Sequence, residues 1–146
     1  MTDAEEADRL SRRRTRILPV LGLFLVIQQA TFFTSPAGRM RAVDMVHAGA
    51  WIVLASVILA ALMTGGFWNR PPALRRLIDD EVTRANRASA LQLGFVVAMA
   101  VAIGLYVIES FTTAVLTPLQ TIHAIVTAGL FTALLRFAAL ERRALD

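Results

Sequence analysis

Four apolar stretches, separated by polar punctuation, run along the chain at residues 17–34, 43–64, 90–111 and 118–140. Each is too long for a strand or an ordinary core helix and close to the roughly 20 residues that an α-helix needs to cross a bilayer. The first is the tightest fit. At ~1.5 Å rise per residue it barely covers a ~30 Å hydrocarbon core and draws on its flanks. Pro19, near its start, reads as a first-turn proline, where the missing N–H has no helical partner to lose. Thr34-Ser35-Pro36-Ala37-Gly38-Arg39 is a turn by composition. Thr64-Gly65-Gly66 ends the second stretch, and Phe67 and Trp68 fall where an interfacial aromatic belt is expected.

The polar segments have patterns of their own. Residues 1–16 carry an acidic front and then a run of arginines, which predicts a solvated or interfacial helix leading into the membrane. Residues 69–89 start with Pro71 and Pro72 and then repeat Leu74, Leu77, Ile78, Val82 and Ala85 at helical spacing. This predicts an amphipathic cytoplasmic helix that runs or bends into the third span. Its i,i+4 pairs, Arg76 to Asp80 and Asp80 to Arg84, are worth only about 0.2–0.5 kcal/mol each. Small residues at Gly94, Ala98 and Ala102, and again at Ala124, Ala128 and Thr132, would let helices approach closely where lipid offers no hydrophobic drive. The predicted fold is therefore all-α: one domain, a polytopic four-transmembrane-helix bundle.

Charge orients it. All fifteen basic residues are arginine. Five lie before the first span, five between the second and third, and three at the end of the fourth, against two (Arg39 and Arg41) in the turns on the other side. That asymmetry predicts a multi-pass protein of a bacterial-type inner (cytoplasmic) membrane with both termini cytoplasmic. A hydrophobic share of 56% and a mean hydropathy of +0.59 make membrane lipid, and not nucleic acid, the natural partner of this basic chain. The absence of cysteine excludes disulfides, thiolate metal sites and covalent haem attachment. The first apolar block is too long for a cleavable leader, and no small-residue cleavage pattern follows it.

Few ionisable groups enter the apolar stretches, and they share one layer near the outer side. His47 lies early in the second span and His123 early in the fourth, each ~6–8 Å in from the boundary. Glu109 is near the outer end of the third. Asp44 precedes His47 by three residues and Gln120 precedes His123 likewise, while Gln28 and Gln29 match that depth on the first span. Such residues are rare in spans and are functional hypotheses by default. A partial echo relates Val26-Ile27-Gln28 to Val107-Ile108-Glu109 and His47-Ala48 to His123-Ala124, which leaves open a parallel repeat of two hairpins.

Three kinds of chemistry fit this layer. Two imidazoles from facing helices can ligate one haem iron in a bundle core. His47, His123, Glu109 and Asp44 together offer a mixed imidazole and carboxylate set for a divalent metal. A proton path through Glu109 would need polar residues continuing inward, where only Ser56 and scattered threonines occur. With histidines early in the second and fourth helices and Asp44-x-x-His47, the chain resembles one four-helix half-bundle of the haem A synthase family. The resemblance covers the helix count and three residues. It implies a b-type haem on His47 and His123, and without that family's paired cysteines and second bundle it does not carry over the family's chemistry.

A plainer reading stands beside these. Neutral histidines near helix N-termini can simply hydrogen-bond a neighbour, and Glu109 can reach the outer surface or pair with Arg39 or Arg41. Trp51, one turn after His47, reads as a packing residue. Asp79, Asp80 and Glu81 fan over about 200° of a helix and cannot form one carboxylate site. With Arg84 and Arg87 they form a candidate docking surface for a cytoplasmic partner. No nucleophile elbow, phosphate loop or zinc-protease motif is present. The expectation is a small non-enzymatic membrane protein acting through helix contacts, as a subunit or accessory factor beside other membrane-protein subunits or copies of itself. The alternative is a haem b or divalent-metal binding protein for electron transfer or haem handling, using His47 and His123.

Overall fold

The computed structural model describes residues 3–34, 42–65, 80–113 and 116–145; within these, the side chains of 3–8, 11, 31–34, 42–44 and 145 lie outside the description. The described residues form four helices: α1 (Asp3–Thr34), α2 (Ala42–Thr64), α3 (Glu81–Phe111) and α4 (Pro118–Leu145). Among the described residues, three segments are long and apolar enough to cross a membrane, Met45–Thr64 in α2, Glu81–Phe111 in α3 and Pro118–Ala144 in α4. The protein is an all-helical membrane protein built as a helix bundle.

The ends of the helices follow from local chemistry. Asp80 is extended, with ψ of 175°, and its carboxylate accepts the Thr83 N–H at 2.7 Å, capping α3. That aspartate is therefore a cap and not the middle of an i,i+4 ladder, and α3 starts at Glu81, well before the apolar stretch at residue 90. The amphipathic segment thus continues directly into the span from Glu81 onward, while residues 69–79 lie outside the described residues. Gly65 stops α2 with φ of 81°, a left-handed conformation that only glycine adopts at no steric cost. At the start of α4 the Thr117 N–H donates to Gln120 Oε1 at 2.9 Å and the Gln120 N–H donates to Thr117 Oγ1 at 3.3 Å. With Pro118 in the first turn, this is a reciprocal capping box. Thr117→Ala is expected to cost about 1 kcal/mol, read as a lower midpoint of unfolding in mixed micelles. An unchanged midpoint would show that the box is not formed.

α1 departs from its expected form. The helix is continuous from Asp3, so the polar segment and the first apolar stretch are one 32-residue rod and Pro19 lies inside it. A proline there removes the ladder bond to the carbonyl four residues back, at Thr15. Tertiary packing outweighs that loss: Thr15, Leu18 and Leu25 are all buried.

α4 is the spine of the bundle. It packs along most of α3 and much of α1, both antiparallel to it, whereas α1 and α2 touch each other sparsely. The core comprises Leu18 and Leu25 from α1, Ile58 and Leu62 from α2, and Leu134 and Phe137 from α4. Where α3 crosses α4 the backbones nearly touch. A Cβ on Gly94 would lie 2.6 Å from the Gly129 carbonyl oxygen, and one on Gly129 would lie 3.0 Å from the Ala98 Cβ. Gly94 and Ala98 thus serve as the small-residue pattern predicts. On α4 the closest approach is made by Gly129 and Ala133, one position round from Ala124, Ala128 and Thr132.

Candidate functional site

Two clusters of polar side chains are enclosed in the bundle, one toward each end. The first surrounds His123, which is 2% exposed on α4. Its imidazole stacks on the Trp51 indole of α2, with ring centroids 3.9 Å apart and planes 17° from parallel. One helical turn farther along α4, the Thr127 hydroxyl donates to Gln29 Oε1 of α1 at 3.2 Å. Among the described residues, the Trp51 indole N–H and the Gln29 amide nitrogen are buried with no hydrogen-bond partner. Each such donor costs about 1–3 kcal/mol. Stacking of two rings and one amide–hydroxyl contact join α1, α2 and α4 at this level.

The second cluster lies at the arginine-rich end. Arg14 of α1 pairs with Glu141 of α4, and their side chains are 8% and 5% exposed. Asn86 of α3 donates to the other carboxylate oxygen of Glu141 at 3.1 Å. The Arg14 guanidinium also sits 5.1 Å from the centre of the Phe137 ring, within cation–π range. Arg87, 8% exposed, donates to the Met63 carbonyl at 3.4 Å, near the end of α2. Glu141 thus receives bonds from two other helices, and Arg87 adds the fourth.

The groups singled out in the outer layer are dispersed. His47 is exposed on α2, one turn before Trp51, while His123 is buried behind that indole. Glu109 is exposed and accepts the Thr121 hydroxyl at 3.3 Å across the α3–α4 turn. Gln120 is engaged in the α4 cap. The Asp44 side chain lies outside the description, as do Arg39 and Arg41. Among the described residues, no three His, Cys, Asp or Glu side chains gather as a metal site requires, so His47, His123 and Glu109 do not form one together. Of the two histidines in the internal echo, His47 is exposed and His123 is buried.

The chain matches no protein-family model, no curated protein and no solved structure.

In the candidate docking surface, Asp80, Glu81 and Arg84 are exposed, Arg87 is buried, and Asp79 lies outside the described residues. Arg87 belongs to the fold and not to that surface. The buried ion pair was not visible in the sequence, because Arg14 and Glu141 are 127 residues apart. One signal for it does exist: Glu141 is the lone acid in the Glu141-Arg142-Arg143 end of α4, at the same charged end of the bundle as Arg14.

Proposed function

We propose that this is a non-enzymatic inner-membrane protein of four spans, both termini cytoplasmic, that works through helix contacts as a subunit or accessory factor of a membrane assembly. The distribution of arginines supports the orientation, and the length of α1 supports a fourth span. The observation that carries the functional reading is how the bundle spends its polar groups and its glycines. Arg14, Asn86, Arg87, Glu141, Gln29 and Thr127 all bond from helix to helix. Gly94 and Gly129 are used where α3 meets α4. Gly104 is not: among the described residues, nothing lies within 4 Å of where its Cβ would be. It sits with Val96, Ala100 and Val107 on an exposed face of α3. Glycine within a helix costs about 1 kcal/mol relative to alanine, and in membranes small residues admit a neighbouring backbone.

The chain has no cysteine, so single cysteines report contacts cleanly. Crosslinking in native membranes from Ala100→Cys and Gly104→Cys is expected to give discrete protein adducts. Phe95→Cys, about half a turn of the helix away from Gly104, is expected to give none. An adduct of twice the mass identifies a second copy, and another mass an unlike subunit. Lipid-only surroundings at every position would overturn the proposal. So would a reduced-minus-oxidised spectrum with a Soret band that disappears in both His47→Ala and His123→Ala, the outcome of the haem alternative.

A further inference from the structure

Between α1 and the end of α2 lies a cleft of about 290 Å³. Ile17 and Leu21 of α1 and Ala61 of α2 line its apolar length, with Phe137 of α4 behind them. Arg13 and Arg14 line its other end, and no acidic side chain is among the described residues that line it. The two arginines are not equivalent. Arg14 is buried and paired with Glu141, whereas Arg13 is exposed at the edge of the cleft. Arg9 and Arg16, also exposed, stand one turn before and after Arg13 on adjoining positions of the helix surface. Arg13 therefore sets one exposed guanidinium at the edge of an apolar slot, with Arg9 and Arg16 one turn to either side of it.

Depth gives that combination its meaning. Arg13 lies four residues before the apolar stretch that starts at residue 17, about 6 Å along the axis. With α1 crossing the membrane, this places Arg13 among the headgroups and Ile17, Leu21 and Ala61 among the first methylenes. We infer that the cleft is a binding site for an anionic glycerophospholipid, an acyl chain lying along Ile17, Leu21 and Ala61 and the phosphate on Arg13, with Arg9 and Arg16 to either side. Basic pockets between spans on the cytoplasmic side recognise such headgroups. The assignment rests on the membrane orientation proposed above. That orientation is tested separately: in intact cells a single cysteine, Ala7→Cys, is expected to resist a membrane-impermeant maleimide until the membrane is permeabilised, and labelling without permeabilisation would overturn the orientation.

The test is native mass spectrometry of the full detergent-purified chain, offered phosphatidylglycerol and phosphatidylcholine with identical acyl chains. The wild type is expected to retain phosphatidylglycerol preferentially. Arg13→Gln is expected to reduce that preference about fivefold, the effect of one arginine near the headgroups. Ala61→Phe, which fills the slot, is expected to reduce retention of both lipids, and excess inorganic phosphate to leave retention unchanged. Arg13 makes no part of the buried pair, so its variant reads binding even if Ala61→Phe fails to fold. Equal retention of the two lipids by the wild type would overturn the site, as would a preference that survives Arg13→Gln. Displacement by inorganic phosphate would reduce it to an anion site at Arg13. A folded Ala61→Phe protein with wild-type retention would place the lipid outside the cleft.

Discussion

Gly94→Leu is expected to separate α3 from α4 and to lower stability by about 3 kcal/mol, the upper range for overpacking. The reason is the nature of the obstacle. The new Cβ would lie 2.6 Å from a backbone oxygen of Gly129 and 2.9 Å from the Ala133 Cβ. Neither can swing away as the tip of a flexible side chain would, so the helices themselves must part. Even Gly94→Ala should destabilise, although alanine is the better helix former. Gly104→Ala is the internal control. Its Cβ would meet nothing within 4 Å among the described residues, so the variant should gain up to about 1 kcal/mol from helix propensity. Unfolding in detergent mixed with increasing SDS measures both. A Gly94→Leu protein that unfolds with the wild-type midpoint would show that the two backbones do not approach as described.

The second large effect concerns the arginine-rich end. Glu141→Leu leaves the enclosed Arg14 guanidinium without the carboxylate that neutralises it and deprives Asn86 of its acceptor. Removing one member of a buried pair typically costs about 3–5 kcal/mol, because the remaining charge is stranded in a poorly solvated site. Adding Arg14→Met to Glu141→Leu should recover much of that loss, since two apolar side chains of similar volume carry no such penalty. Salt should change these values little, as enclosed pairs are screened far less than exposed ones. A single variant as stable as the wild type would mean that the pair is solvated.

Much of the bundle was legible because apolar blocks and turn residues report directly on helix existence and ends. Gly65 stops α2 where the glycine pair predicts, and Gly94 and Ala98 face α4 as their spacing suggests. Thr117-Pro118-Leu119-Gln120 also carries a readable capping signal, which the reciprocal bonds of Thr117 and Gln120 realise. What was not legible is rotation. Depth along a helix follows from counting residues, and it put His47 and His123 in one layer. The direction in which each points depends on packing between helices, and that exposes one imidazole and stacks the other on Trp51. The continuity of α1 across Pro19 was hidden for a related reason. A polar, arginine-rich segment followed by a proline looks like a boundary, and only burial of Thr15 and the Arg14–Glu141 pair carries the helix across it.

Buried polar groups tie helix to helix in this bundle. A double-mutant cycle on Arg14 and Glu141 measures that most directly, comparing Arg14→Met, Glu141→Leu and the double variant by SDS-induced unfolding. The expected result is a coupling energy of about 2 kcal/mol or more, with the double variant more stable than either single one. Losses that simply add, to within about 0.5 kcal/mol, would contradict it.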